Sequence, residues 1–186
     1  SKNMNYLKLS IIVPTWNRKK KLINLIKNII FKIKKEKIKY EILICDSFSG
    51  DGSQNEINKY FGKNKKVLYK NIKINNIAAK RNVGIRSSKY NNILLLDDDC
   101  IPIKNFYKIL EKTLNKKKLD TIYCGQYYTS KKLIEKSNYY NFRDKKNLKV
   151  SNLKKIDIKN IITGCCFFNK KNITNKLLFN EEIKGY

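Results

Sequence analysis

The run Leu94-Leu95-Leu96-Asp97-Asp98-Asp99 is an apolar strand that ends in three consecutive acids. Carboxylates at the end of a buried strand sit there at a desolvation cost that something cationic has to offset. A divalent metal bridging to a diphosphate meets that need, because magnesium-type sites use one or two carboxylates plus substrate phosphate oxygens. The chemistry implied is that of an enzyme acting on a nucleoside diphosphate sugar.

Three further clusters have the residue types for such a site. Glu41-Ile42-Leu43-Ile44-Cys45 runs into Asp46-Ser47-Phe48-Ser49-Gly50-Asp51-Gly52-Ser53, a loop dense in short hydrogen-bonding side chains. An Asp at a strand end can accept from a uracil N–H or a ribose hydroxyl, and the same residues also make an ordinary Gly-Asp turn. Pro14-Thr15-Trp16-Asn17-Arg18 closes the first strand, and Ala79-Lys80-Arg81-Asn82-Val83-Gly84 falls in the helix before the acids.

The elements that must position these clusters follow from periodicity. Leu9 to Val13 is a β-branched run closed by Pro14, which reads as a buried strand. From Arg18 to Lys35, the positions Leu22, Leu25, Ile26, Ile29, Ile30 and Ile33 recur at three and four, predicting a helix with one apolar stripe. A strand ending at Cys45, a helix to about Phe61, a strand at Val67-Leu68-Tyr69, a helix over Asn76 to Ser88 and a strand at Ile93 to Leu96 complete βαβαβαβ. That alternation predicts an α/β fold with a mostly parallel sheet, helices on both faces and ligands outside the carboxyl ends of the strands. A helix through Phe106, Ile109, Leu110 and Thr113 and a strand over Thr121 to Tyr128 are expected next. Ser137 to Lys155 reads as a loop over the site or a surface connection, Ile156 to Thr163 as a strand, and Gly164-Cys165-Cys166-Phe167-Phe168 as its apolar continuation.

In these four blocks the chain resembles the inverting family 2 glycosyltransferases of the GT-A (Rossmann-like) fold. The pattern there is P-T-Y-N-R, D-D-x-S-x-D-G-S, A-R-N-x-G and L-D-D-D, in order, across about half of this chain. Trp16 replaces the Tyr and Ser47 the second Asp. The resemblance implies that Pro14, Thr15, Trp16, Asn17 and Arg18 line a nucleotide pocket shared with Ser47, Ser49 and Lys80. It implies Asp46 on the uracil or ribose, Arg81 on the base or diphosphate, and Asp97 or Asp98 on the ribose or sugar. Asp99, with Asp97 in one register of the motif, would hold Mn²⁺ or Mg²⁺. Inversion also requires a base to take the acceptor's proton. The family carries that acid in a segment resembling F-D-E-x-F-x-G-Y-G-x-E-D, whereas this chain has Phe179-Asn180-Glu181-Glu182-Ile183-Lys184-Gly185-Tyr186. Either Glu181 or Glu182 serves, or the base lies beyond Tyr186 and residues 1–186 are a single GT-A donor-binding domain cut from a longer enzyme. The structural alternative for both is a charge at a helix start, favoured by the dipole.

Composition bounds the rest. With 186 residues, 41% of them hydrophobic, the chain can build one sizeable core. Forty-two Lys and Arg against 15 Asp and Glu give +27, but the charge is scattered Lys without a nucleic-acid module. No nucleic-acid partner is expected, and peripheral contact with an anionic membrane is the sharper use of that charge. No apolar run approaches the roughly 20 residues that span a bilayer, so the chain reads as cytoplasmic, at the inner face of the membrane if attached. Five cysteines without CxxC spacing and no His exclude an ordinary zinc site. Tyr123, Tyr127, Tyr128, Tyr139 and Tyr140 can stack on a sugar or simply pack. The expected activity is transfer from a UDP-sugar donor to a glycan or lipid-linked acceptor in bacterial surface polysaccharide synthesis. The rivals are a nucleotidyltransferase, whose Gly-rich phosphate loop is missing after the first strand, and a basic binding module for RNA or anionic lipid.

Overall fold

The computed structural model describes residues 6–116, 123–124, 128–129, 132–133, 164–172 and 179–182. The chain opens with β1 (Leu7–Thr15), α1 (Lys19–Ile33), β2 (Ile38–Asp46), α2 (Ser53–Phe61), β3 (Val67–Asn71), α3 (Ile77–Ser87), β4 (Asn92–Leu96) and α4 (Phe106–Lys116). The later strands are β5 (Tyr123–Cys124), β6 (Tyr128–Thr129), β7 (Lys132–Leu133) and β8 (Cys165–Asn169). One six-stranded sheet runs β3-β2-β1-β4-β8-β5. Its first four strands are mutually parallel, while β8 is antiparallel to both β4 and β5.

The strand residues are apolar on both faces because both are covered, as parallel sheets require. Leu9, Ile11 and Val13 of β1 and Ile42 and Ile44 of β2 pack with the stripe Leu22, Leu25, Ile26, Ile29 and Ile33 of α1, with Ile57 of α2 and with Tyr107 and Leu110 of α4. Ile12, Leu43, Ile93 and Leu95, one residue out of phase, face the other way and meet Ile85 of α3. The side-chain period of two therefore sorts each strand between two helical layers, and the expected α/β architecture is the one observed.

Two details differ from the periodicity reading. Pro14 lies inside β1, opposite Cys45 of β2, and does not close the strand. The β1–β4 pairing stops at Ile12 and Leu95, so the proline's missing N–H falls beyond that ladder. The strand expected over Thr121 to Tyr128 is divided: Tyr123–Cys124 joins the main sheet, while Tyr128–Thr129 pairs with Lys132–Leu133 in a separate two-stranded sheet. An apolar, aromatic run alone does not say with which partner a strand pairs. The loop expected over Ser137 to Lys155, the strand expected over Ile156 to Thr163, and Tyr127, Tyr139 and Tyr140 lie outside the described residues.

Helix α3 must lie very close to β1, and glycine allows it. A Cβ at Gly84 would stand 2.4 Å from Cγ2 and 3.2 Å from Cδ1 of Ile12, whose side chain is fully buried in the middle strand. Gly84→Ala is therefore expected to destabilise, despite a gain of about 1 kcal/mol in helix propensity, because overpacking a filled core costs about 1–3 kcal/mol. Urea denaturation of Gly84→Ala, Ile12→Ala and the double variant checks this. The double variant should be more stable than the sum of the single losses implies.

Candidate active site

The carboxyl edge of the sheet gathers the four sequence blocks, and register is the reason. Thr15 is opposite Asp46 in the β1–β2 ladder, and Ile12 is opposite Leu95 in the β1–β4 ladder. Carrying the second offset three residues further puts Thr15 beside Asp98, and the Thr15 hydroxyl does donate to Asp98 Oδ2 at 2.8 Å. Asp46, Thr15 and Asp98 thus form a row across three adjacent strand ends.

That row is an inner, buried layer. Asp46 is 1% exposed and accepts from Ser49 N–H (2.8 Å), Ser49 Oγ (2.5 Å) and the Tyr69 hydroxyl (2.9 Å). Burial, then the hydrogen bond to Asp46, pushes the Tyr69 phenol well above its ordinary pKa, so Tyr69 remains a donor. Asp98 is 3% exposed and also accepts from Arg18 Nη1 at 2.9 Å. Burial raises its pKa, opposed by the Thr15 and Arg18 hydrogen bonds, while the same bond from Asp98 holds the Arg18 guanidinium above its ordinary value. Lys80, 4% exposed, donates to Thr15 O and Asn75 Oδ1, both at 3.1 Å. Burial lowers its pKa, with Asp46 and Asp98 pulling the other way. Ser47 is buried and donates to Ile74 O, fastening the loop before α3.

The outer layer is what a ligand would meet. Trp16 and Asn17 are exposed on the β1–α1 loop. Arg18 Nη1 also reaches Asp99 Oδ2 at 3.0 Å, with Lys21 Nζ 3.6 Å from the same oxygen. On the other side of the edge Arg81, itself buried behind Asp97, gives Nη2 to Asp97 Oδ1 at 2.9 Å, and its guanidinium lies 5.3 Å from the centre of the Phe179 ring. Of the three acids, the Asp97 and Asp99 side chains are 32% and 44% exposed and Asp98 only 4%. The middle acid is spent on the protein. The outer two are the carboxylates that an incoming hard cation could reach, and each already gives one oxygen to a guanidinium. Among the described residues no group of three His, Cys, Asp or Glu converges on one point.

Glu181 lies elsewhere. Its Oε1 accepts from Asn82 Nδ2 at 2.8 Å and Arg86 Nη2 at 3.3 Å, and its backbone oxygen accepts from Asn76. Asn82 Nδ2 donates to Phe179 O and Asn82 Oδ1 accepts from Phe179 N–H, so the segment is clipped along α3. Residues 181–182 form a turn, with Glu182 exposed. The thiol of Cys45 is buried and pushed up to about 12, which keeps it inert.

The loops of the edge are tied to one another by contacts that residue type alone did not announce. Asn17 N–H donates to Ser49 Oγ (2.7 Å) and Gly50 N–H to Asn17 Oδ1 (2.8 Å). Arg18, the residue before α1, gives no side-chain cap. Asp51 supplies one instead: its Oδ2 accepts from Lys19 N–H at 2.7 Å, while Oδ1 accepts from Ser53 N–H and Oγ at the start of α2. One carboxylate caps two helices. The only sequence signal for it was an acid ahead of the second helix.

Comparison with known proteins gives three findings. The family model described as Glycosyl transferase family 2 matches residues 10–178. Poly(ribitol-phosphate) beta-N-acetylglucosaminyltransferase TarP of Staphylococcus aureus is 35% identical over 96 residues, which are 50% of this chain and 28% of that protein. An uncharacterized glycosyltransferase of Rickettsia conorii is 34% identical over 108 residues, 56% of this chain and 16% of that protein. The chain therefore spans less than a third of the curated relatives it matches. Among solved structures, residues 1–349 of S. aureus TarS in complex with UDP superpose over 96% of this chain and 52% of that chain, with TM-score 0.70 and 18% identity. The mannosyltransferase PcManGT of Pyrobaculum calidifontis, in complex with GDP-Man and Mn2+, superposes over 67% of this chain and 37% of that one, with TM-score 0.56 and 18% identity. At these identities the likeness is one of fold.

Asp51→Ala removes both helix caps and is expected to cost about 1–2 kcal/mol. Burial pushes the Asp51 pKa up, but the Ser53 hydroxyl and the Lys19 and Ser53 N–H groups outweigh it and hold the carboxyl below its ordinary value. A depressed folded-state pKa gives stability that is present above the unfolded value, about 4, and is lost as pH falls through the folded value. Melting curves of wild type and Asp51→Ala should therefore differ at pH 7 and converge below about pH 4.

Proposed function

Because the chain belongs to glycosyl transferase family 2, we propose that it transfers a sugar from a UDP-sugar, with a divalent ion, to a glycan or lipid-linked acceptor of bacterial surface polysaccharide. The observation that carries this reading is the row Asp46, Thr15 and Asp98 at the carboxyl edge, with Asp99 and Asp97 exposed beside it. Residues 1–186 are taken as the donor-binding domain of the enzyme.

In this reading the inner layer shapes the pocket, with Asp46 also taking part in binding, and the outer layer supplies the other contacts. Trp16 offers an aromatic surface to a nucleobase. Asp46, held by Ser49 and Tyr69, presents an acceptor to a base N–H or ribose hydroxyl when the Ser49 hydroxyl turns aside. Arg18 and Arg81 bring guanidinium donors to phosphate oxygens. Asp99, with Asp97, would hold Mn²⁺ or Mg²⁺, which supplies Lewis-acid neutralisation of the departing diphosphate. Glu181, bonded to Asn82 and Arg86, braces α3, so the base that meets the acceptor hydroxyl is a different carboxylate. Among the described residues no helix is long and apolar enough to cross a membrane, and we place the activity on the cytoplasmic side, where nucleotide sugars are the donors.

Calorimetric titration with UDP in the presence of Mn²⁺ tests the reading. Saturable binding to wild type is expected, with affinity at least about tenfold weaker in Asp99→Ala, equivalent to the 1.4 kcal/mol of a lost charge-assisted contact. Absence of heat with wild type, or Asp99→Ala binding as well as wild type, would overturn it. So would binding that ignores UDP and metal but collapses with salt as a polyanion contact does.

A further inference from the structure

The carboxylates at the edge are already matched by cations of the chain. Asp46, Asp97, Asp98 and Asp99 are four acids, and Arg18, Lys21, Lys80 and Arg81 are four bases set among them through the contacts Arg18–Asp98, Arg18–Asp99, Lys21–Asp99 and Arg81–Asp97 and the burial of Lys80 beside Thr15. The cluster is neutral as it stands. A divalent ion arriving alone makes it strongly positive and displaces Arg18 from Asp99. A diphosphate arriving alone makes it strongly negative. The two together largely cancel, so each should favour the other, and such coupling is reciprocal.

Arg18 is the residue able to mediate the exchange. Its Nη1 bridges Asp98 and Asp99, but the two contacts are unequal: Asp98 is 4% exposed in its side chain and Asp99 44%. The bond to buried Asp98 is hard to give up, because an unpaired buried carboxylate costs several kcal/mol. The bond to half-exposed Asp99 is easy to give up. The Arg18 side chain is 49% exposed, and its guanidinium has five donors. It can stay anchored on Asp98 while it releases Asp99 and turns other N–H groups toward phosphate. Lys21, 57% exposed and 3.6 Å from Asp99, lacks any such anchor in its recorded ion pair.

Resting on the donor-binding reading above, we propose that Arg18 is a resident counter-ion for Asp99, which it yields to the divalent metal only as the diphosphate takes up its guanidinium. Metal and nucleotide then bind as a coupled pair, and Arg18 is a positioning residue for that coupling.

The test is calorimetry with Mn²⁺ alone, UDP alone and each in the presence of the other, on wild type, Arg18→Met, Arg18→Lys and Lys21→Met, with melting curves to certify folding. For wild type, each ligand should tighten the other within the usual range of about 5–150-fold. In Arg18→Met, Mn²⁺ alone should bind several-fold tighter than to wild type and the coupling should shrink toward unity. Arg18→Lys, which keeps charge but loses the bridging fork, should fall between, and it carries the test if Arg18→Met does not fold. Lys21→Met should change Mn²⁺ affinity much less than Arg18→Met, which separates release of a specific contact from mere removal of nearby positive charge. Equal effects of the two methionine variants, or wild-type coupling retained in Arg18→Met, would overturn the exchange while leaving the donor reading intact. Wild type that binds UDP and Mn²⁺ neither singly nor together would overturn the donor reading and the exchange with it.

Discussion

A carboxylate buried at a strand end dictates much of what surrounds it. Asp98 has almost no access to water, and an ionised acid in that position is tolerated only with close, well-oriented donors. Thr15 and Arg18 provide them at 2.8 and 2.9 Å. The consequences run outward from that requirement. Thr15 must end β1 level with Asp98, so the strand register is fixed. Arg18 stands just before α1, and its guanidinium, which has no acceptor, cannot cap that helix. The cap passes to Asp51 on the neighbouring loop, which ties the β2–α2 connection to the start of α1. Asp99, the next residue, then inherits the second half of Arg18's reach.

Two layers result, an inner one nearly closed to water and an outer one that leaves Trp16, Arg18 and Asp99 open. The inner acids are held by Thr15, Arg18, Ser49 and Tyr69, and Lys80 is bonded to the Thr15 carbonyl beside them. The outer residues ride on loops that the inner ones fix. Local strain marks how firmly these loops are held: Asn17 and Phe48 both adopt positive φ, 51° and 52°. Asn tolerates that region, but for a bulky Phe it is costly. Phe48 stays there because Asp46 on one side accepts the N–H of Ser49 on the other, and because Ser49 and Gly50 are bonded to Asn17. Strain of this kind persists where surrounding contacts over-determine the backbone.

The legible part of the sequence was the part governed by short-range periodicity. Uninterrupted apolar runs such as Ile42-Leu43-Ile44 declared strands buried on both faces, and the Leu22-to-Ile33 stripe declared a helix lying on one of them. The four blocks could be placed at one sheet edge because βαβ alternation sends every strand's carboxyl end to the same side. What could not be read is which polar atoms satisfy which. Asp97, Asp98 and Asp99 are identical letters, yet burial separates one from the other two. Ser47 and Ser49 look equivalent, but one holds Ile74 and the other holds Asp46. Gly84 seemed part of a motif, whereas its reason is the methyl of Ile12 across the α3–β1 contact. Each of these is decided by a neighbour remote in sequence, where neither spacing nor propensity carries information.

Helix α3 joins the donor edge to the segment that follows it. Its consecutive residues Arg81 and Asn82 face different tasks: Arg81 reaches forward to Asp97, and Asn82 clasps the backbone of Phe179 with both ends of its amide. The Phe179 ring in turn lies 5.3 Å from the Arg81 guanidinium, so the two tasks share a contact. Arg81 is 8% exposed, and its planar head cannot shift toward a ligand without disturbing the ring beside it. Asp97 and residues 179–182 are thus connected through two adjacent side chains of α3. Glu181 adds to that connection, its Oε1 accepting from both Asn82 and Arg86.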